Sequence, residues 1–254
     1  MDLNLHHRTA IVTGGATGLG KEFVLSLARE GVNICFTYMR DEERPEQLID
    51  TVKNSASVEI IAVKTDLSDE QSRENLFATC IERLGNADIL VNNAGTIRRA
   101  DALSFSEKDW DEVINLNLKS VFFLSQAVAR QFIQQGDGGK IVNIASMLSF
   151  QGGIRVPSYT ASKSGVLGIT RLMANEWAGH RINVNAIAPG YMATNNTQQL
   201  REDAERSKAI LDRIPAGRWG VPDDLQGPVV FLASRAADYI SGFTLAVDGG
   251  WLAR

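Results

Sequence analysis

Tyr159 and Lys163 stand one helical turn apart, thirteen residues after Ser146. In a helix, residues four apart share a face, so the phenol and the ammonium would be neighbours. A phenol titrates near 10, and accepting a proton near pH 7 costs roughly 4 kcal/mol. An ammonium about 5 Å away, at an effective dielectric near 20, contributes roughly 3 kcal/mol toward the phenolate, and the positive ring of an oxidised nicotinamide would add to it. Ser146 would hold a substrate oxygen about 3 Å from the tyrosine while the nicotinamide C4 exchanges hydride. The chemistry so described is the interconversion of an alcohol and a carbonyl. A half-buried tyrosine beside a solvated lysine is the plainer account of any such pair taken alone.

A cofactor of that kind needs a phosphate cradle. Thr13-Gly14-Gly15-Ala16-Thr17-Gly18-Leu19-Gly20 follows a strand-like run and opens a helical one. There, bare backbone meets the positive end of a helix. The spacing Gly-x-x-x-Gly-x-Gly matches neither G-x-G-x-x-G nor a P-loop, and a tight strand-to-helix turn would explain the glycines on their own. Asn92-Asn93-Ala94-Gly95 closes a later strand, at the edge where open parallel sheets bind ligands. Choice between NAD(H) and NADP(H) falls to the end of the second strand, where a carboxylate would bind ribose hydroxyls and reject a 2′-phosphate. Tyr38 stands there, Arg40 could greet a phosphate, and Asp41, Glu42 and Glu43 follow at once. The local signal is split.

Arg98 and Arg99 follow the Asn-Asn-Ala-Gly turn, and Arg155 lies between Ser146 and Tyr159. Guanidinium forks on loops at a catalytic edge suit a carboxylate-bearing substrate, although loop arginines also simply solvate a rim. Residues 191–220 are too long and hydrophilic for a simple crossover and are expected to form a lid. Met192, Asn195, Asn196 and Gln199 within it are possible polyol contacts, or a solvated helix start.

The elements that would position these groups are legible as an alternation. Short apolar, β-branched runs at 9–13, 32–37, 58–63, 89–92, 140–145, 182–187 and 244–247 are separated by helical patterns near 18–30, 43–54, 69–84, 106–135, 157–178, 198–213 and 222–234. That pattern predicts a single-domain α/β fold over residues 1–254, a doubly wound Rossmann-type seven-stranded parallel sheet with helices on both faces. The chain has 254 residues, 26 Lys+Arg against 30 Asp+Glu and a net charge of −4, so nothing basic awaits a nucleic acid. Three histidines lack metal-ligand spacing, and no metal is expected. Two cysteines, Cys35 and Cys80, suit buried hydrophobes in a reducing compartment. No signal peptide pattern and no apolar run of about 20 residues is present, so a cytoplasmic protein without membrane partners is expected.

In this order, Thr13-Gly-x-x-x-Gly18-x-Gly20, Asn92-Asn-Ala-Gly95, Ser146, Tyr159-x-x-x-Lys163 and Pro189-Gly190 resemble the short-chain dehydrogenase/reductase family over essentially the whole chain. The resemblance implies a catalytic asparagine anchoring a proton-relay water beside Lys163. Asn117 matches its position, with Asn115 the rival. It also implies that Gly14, Thr17, Gly18, Leu19, Gly20, Tyr38, Asp66, Leu67, Asn93, Ala94, Gly95, Tyr159, Lys163, Pro189, Gly190 and Thr194 bind the dinucleotide. Asp66 would sit by the adenine, Lys163 on the nicotinamide ribose and Thr194 by the carboxamide or its phosphate. NAD(H) is favoured on the same basis, NADP(H) being the alternative. A closer likeness over residues 88–254 is to members acting on deoxy sugar acids of the 2-deoxy-D-gluconate and 2-dehydro-3-deoxy-D-gluconate type, in uronate, pectin or glycosaminoglycan breakdown. Ser146, Tyr159, Arg98, Arg99 and Arg155 are then the expected substrate contacts, and a homotetramer the expected assembly. The rivals are an NADPH-dependent 3-ketoacyl or other carbonyl reductase and a non-catalytic nucleotide sensor.

Overall fold

A computed structural model of the chain describes residues 3–253, apart from the side chain of Asn196. Its seven strands are β1 (Thr9–Val12), β2 (Asn33–Tyr38), β3 (Ile60–Lys64), β4 (Ile89–Asn92), β5 (Gly139–Ile144), β6 (Ile182–Pro189) and β7 (Thr244–Val247). They form one parallel sheet in the order β3-β2-β1-β4-β5-β6-β7. The chain winds outward from β1 to β3, then returns to the other side of β1, so the switch point lies between β1 and β4. All four residues of β1 and of β4 are buried, as apolar strands covered on both faces must be.

Helices α1 (Gly18–Arg29), α2 (Pro45–Ser55), α3 (Glu70–Leu84), α4 (Glu107–Ile114), α5 (Ser120–Gln135), α6 (Pro157–Trp177), α7 (Gln198–Glu202), α8 (Ala204–Leu211) and α9 (Gln226–Ala233) complete the layers. One core gathers Phe23, Leu27, Leu48, Val229 and Leu232 from α1, α2 and α9 against the sheet. The other gathers Leu76, Cys80, Leu124, Phe132 and Met173 from α3, α5 and α6. Cys35 and Cys80 are free and buried, and their shared hydrogen bond together with burial pushes the Cys35 thiol upward. A polar column crosses the second layer: Asn92 Nδ2 donates to Asn143 Oδ1 (2.8 Å) and Ser125 Oγ (3.0 Å), and Asn143 Nδ2 donates to Thr170 Oγ1 (2.9 Å). Each partner removed there would strand a buried amide at a cost of about 1–3 kcal/mol.

Three helical expectations change on folding. The run 106–135 is interrupted by a π-helical turn, Asn115–Lys119, between α4 and α5. The run 198–213 breaks at Asp203, whose carboxylate accepts from the Arg206 N–H (3.0 Å) and so caps α8 instead of continuing α7. The run 222–234 opens as a 3₁₀ turn, Pro222–Leu225, before α9. Pro157, by contrast, takes the first turn of α6 as its fixed φ favours. Among the described residues, no helix is long and apolar enough to cross a membrane. Nor does any group of three His, Cys, Asp or Glu among them gather to hold a metal ion.

Candidate active site

The loop between β1 and α1 is locked to its neighbours by Thr13, Thr37 and Asn93. Gly14 N–H donates to Thr37 Oγ1 and Gly15 N–H to the Thr37 carbonyl, both at 2.9 Å. Thr13 Oγ1 accepts from the Asn93 (2.9 Å) and Ala94 (3.0 Å) N–H groups, while Asn93 Nδ2 donates to the Thr13 and Gly14 carbonyls. The two loops at the switch point are thus one rigid unit. Gly18 adopts φ +56° and a side chain there would meet nothing, because it faces the open cleft. Thr17, the N-cap of α1, makes no side-chain capping bond. Uncapped first-turn N–H groups beneath bare backbone fit a pyrophosphate. Gly20 differs from expectation: it does not line the cavity, since a side chain there would run into the Gly14 carbonyl. Its smallness serves helix-to-loop packing.

A cavity of about 1930 Å³ runs from this loop along the carboxyl ends of the strands. At one end it is lined by Tyr38, Arg40, Glu43, Asp66 and Leu67. Glu43 is drawn in from the turn after β2: its Oε1 accepts from the Arg40 N–H (3.1 Å), and its side chain is 15% exposed. Asp66 accepts from the N–H and hydroxyl of Ser68, fixing the turn. Arg73, only 6% exposed, donates to the Leu67 carbonyl (2.8 Å) and holds that wall from α3. Sequence reading missed it, although a lone arginine on the apolar face of a helix was the available signal.

At the other end Ser146 leaves β5 and caps a short 3₁₀ turn, its Oγ accepting from the Leu148 N–H (3.1 Å). Tyr159 and Lys163 line the same cavity from α6. The Ser146 side chain acts on the Tyr159 hydroxyl and favours its ionised form. Lys163, 5% exposed, donates from Nζ to the Ile144 carbonyl (2.6 Å), with Nζ 5.7 Å from the Tyr159 ring centre. Burial is the largest influence on Tyr159 and raises its pKa, opposed by the Ser146 hydrogen bond and the Arg99 charge. Burial likewise lowers Lys163 to about 8. For both groups desolvation outweighs what the surrounding donors and charges return.

The two asparagines separate. Asn117, fully buried in the π turn, does not line the cavity. Its Oδ1 accepts from the Thr96 N–H (2.8 Å), and its Nδ2 donates to the Thr96 carbonyl (2.9 Å) and to Ser162 Oγ (3.3 Å). Ser162 Oγ in turn donates to the Tyr159 carbonyl (2.8 Å). Asn117 thereby ties the loop after β4 to the α6 turn that bears the tyrosine. Asn115 is the asparagine on the cavity surface.

The arginines also part company, although all three line the cavity. Arg98 is held by Glu112 and donates to Thr96 Oγ1 (3.1 Å). Arg155, in the left-handed conformation at φ +63°, pairs with Asp101 at 3.2 Å. Arg99 is the one whose charge reaches Tyr159. After β6, Gly190 lines the cavity and Pro189 does not; within 191–220, Thr194, Asn195 and Gln199 line it, and Met192 is 5% exposed in the core. Asn196 lies outside the described side chains. Trp251 folds back on its own chain, packing with Met147, Ile210 and Ile214, and with Tyr191 edge-on at 5.0 Å. Arg206 and Arg213 line the cavity too, unforeseen from sequence, where they read as charges of a solvated helix.

The profile of the short chain dehydrogenase family matches residues 8–205. The 2-dehydro-3-deoxy-D-gluconate 5-dehydrogenase of Dickeya dadantii is 62% identical over 251 residues, 99% of this chain and 98% of its own length. A structure from Agrobacterium tumefaciens, provisionally named a 2-deoxy-D-gluconate 3-dehydrogenase and carrying NADP, is 51% identical with a TM-score of 0.91, covering 100% of this chain and 99% of its own. A gluconate 5-dehydrogenase from Burkholderia cenocepacia in complex with NADP and tartrate is 34% identical with a TM-score of 0.92, again covering 100% and 99%.

Proposed function

The chain belongs to the short-chain dehydrogenase family, an oxidoreductase fold for CH–OH groups, and from that premise we propose that Ser146, Tyr159 and Lys163 interconvert a hydroxyl and a ketone on a small deoxy sugar acid. The substrate is of the 2-deoxy-D-gluconate or 2-dehydro-3-deoxy-D-gluconate type met in uronate, pectin or glycosaminoglycan breakdown. What carries this reading is the gathering of Ser146, Tyr159 and Lys163 at one end of a cavity whose other end is a glycine cradle, with Lys163 Nζ 5.7 Å from the Tyr159 ring centre.

A bound nicotinamide dinucleotide supplies hydride or accepts it. Gly14, Thr17, Gly18 and Leu19 would hold its pyrophosphate, Asp66 and Leu67 its adenine, and Asn93, Ala94 and Gly95 the wall between. Lys163 would hold the nicotinamide ribose, and Gly190 and Thr194 the carboxamide side. NAD(H) is preferred over NADP(H): the Glu43 carboxylate, tethered in the cavity at the same end as Tyr38, would accept from ribose hydroxyls and would repel a 2′-phosphate. A kcat/KM clearly higher with NADP(H) would overturn that preference.

In oxidation, Ser146 orients the substrate hydroxyl and Tyr159 takes its proton; in reduction, Tyr159 returns it. Lys163 holds a second positive charge within the same buried pocket. Asn117 is a positioning residue, acting through Thr96 and Ser162. Arg99 supplies positive charge that favours the ionised phenol of Tyr159, while Arg98 and Arg155, held by Glu112 and Asp101, shape the rim. Residues 191–220 act as a lid. A cytoplasmic location goes with this reading, supported by the free Cys35 and Cys80 thiols. So does a homotetramer, supported by Trp110, Phe123 and Ile133, each more than 40% exposed on α4 and α5.

The deciding experiment incubates the protein and Tyr159→Phe with NAD and with 2-deoxy-D-gluconate or 2-dehydro-3-deoxy-D-gluconate, following absorbance of the reduced nicotinamide. The parent should turn over, and the variant should fall by about 10²- to 10⁴-fold with cofactor binding intact. An unaltered rate in the variant, or a parent inert toward sugar acids, would reject the assignment.

A further inference from the structure

Most cations of the 191–220 segment already have partners. Lys208 pairs with Asp212 at 2.6 Å, Arg218 with Asp224 at 2.7 Å, and Arg201 donates to the Thr194 carbonyl at 3.1 Å. Arg206 and Arg213 line the cavity, and among the described residues no ion pair holds either.

Of these two, Arg213 is fixed in place. Its guanidinium carbon lies 4.1 Å from the centre of the Trp251 ring, a cation–π contact. Trp251 is 5% exposed and packs with Met147, the residue after Ser146, and with Ile214, the residue after Arg213. A guanidinium held over a ring by cation–π attraction spends no N–H group on that contact, so its fork stays available to bind a carboxylate through two parallel bonds.

We propose that Arg213 binds the carboxylate of the sugar-acid substrate at the end of the pocket remote from the reacting carbon, and so selects acids over neutral polyols. This rests on the function proposed above and specifies its substrate site. In an acid oxidised at C5, four bonds separate the carboxylate carbon from the reacting carbon, and a cation beside the phenol is in the wrong place for it. Arg99 reaches the cavity from the loop after β4, whereas Arg213 reaches it from the segment after β6 and is seated on Trp251, so two separate elements bring cations to the one cavity.

The test measures KM and kcat for 2-dehydro-3-deoxy-D-gluconate, the inhibition constant of tartrate and the KM for NAD(H) in the parent, Arg213→Gln, Arg213→Lys and Arg99→Gln. Removing the fork should raise the KM for the acid and the tartrate inhibition constant by about 10- to 100-fold, the range of one lost charge-assisted pair. The KM for NAD(H) and the melting temperature should hold, and lysine should restore part of the loss. Arg99→Gln should instead act mainly on kcat. A purely structural role for Arg213 would move the cofactor KM and melting temperature together with the substrate KM, and would overturn the proposal. So would unchanged acid KM and tartrate inhibition in Arg213→Gln with normal parent turnover, which leaves the proposed function standing. A parent inert toward the acid removes both.

Discussion

Tyr159 is pulled in two directions, upward by burial and downward by the Ser146 hydrogen bond and the Arg99 charge. Removing the hydroxyl in Ser146→Ala should therefore do more than slow the reaction. The limb of the pH profile along which alcohol oxidation rises with pH should move to higher pH, because one of the influences that lower the Tyr159 pKa is gone; a limb that stays put or moves down would contradict this balance. Lys163 supplies a second pH dependence, in stability. Its folded-state value, about 8, lies below the usual 10.5, so between these the unfolded chain binds more protons and stability rises with pH. Below about 8 both states are protonated and the buried ammonium destabilises by about 3 kcal/mol, less whatever its bond to Ile144 returns. Denaturant titrations of the cofactor-free protein should show Lys163→Met gaining most at pH 7 and least near pH 10. Tyr159, whose value is raised, works the other way only above its usual 10.

At the scale of elements, two glycines of one motif do different work. Gly18 lies in the left-handed region facing the cleft, so Gly18→Ala should fold, at a backbone cost of about 1–2 kcal/mol, and lose cofactor affinity. Gly20→Ala drives a methyl into the Gly14 carbonyl and should show the larger loss of stability in thermal melts. Equal melting temperatures for the two would refute the division. The motif was legible in sequence; which glycine faces the open cleft and which faces backbone was not, because that follows from how α1 abuts β4's loop. The π turn was likewise invisible. Asn115-Leu-Asn117 fits an unbroken helix by period, and the extra residue in the turn is sustained by the bonds Asn117 makes to Thr96, 21 residues earlier in the chain.

Across the whole molecule, the cleft at the β1–β4 switch point couples cofactor binding to global stability. A ligand bound only by the folded state stabilises by about 2.7 kcal/mol at a hundredfold excess over Kd. For a chain of this size that corresponds to roughly 5–10 °C in Tm. NAD(H) should give a larger shift than NADP(H) at equal concentration, and Glu43→Gln should narrow the difference. A larger shift with NADP(H) in the parent would point to Arg40 as the dominant group at the ribose end. Light scattering reads the assembly directly: a tetrameric mass is expected, and a monomer would leave Trp110, Phe123 and Ile133 without the partner proposed for them.

The sequence by itself determined the α/β alternation, the seven strands within two or three residues, the glycine cradle and the Ser146, Tyr159 and Lys163 trio, because each is written in local period and fixed spacing. Tertiary structure alone decided the rest. Whether an arginine is engaged depends on the carboxylate that reaches it: Glu112 holds Arg98, Asp101 holds Arg155, and none among the described residues holds Arg213. The sign of a pKa shift is a sum over burial and neighbours drawn from distant elements, so the proximity of Lys163 to Tyr159, though readable, could not reveal that desolvation prevails.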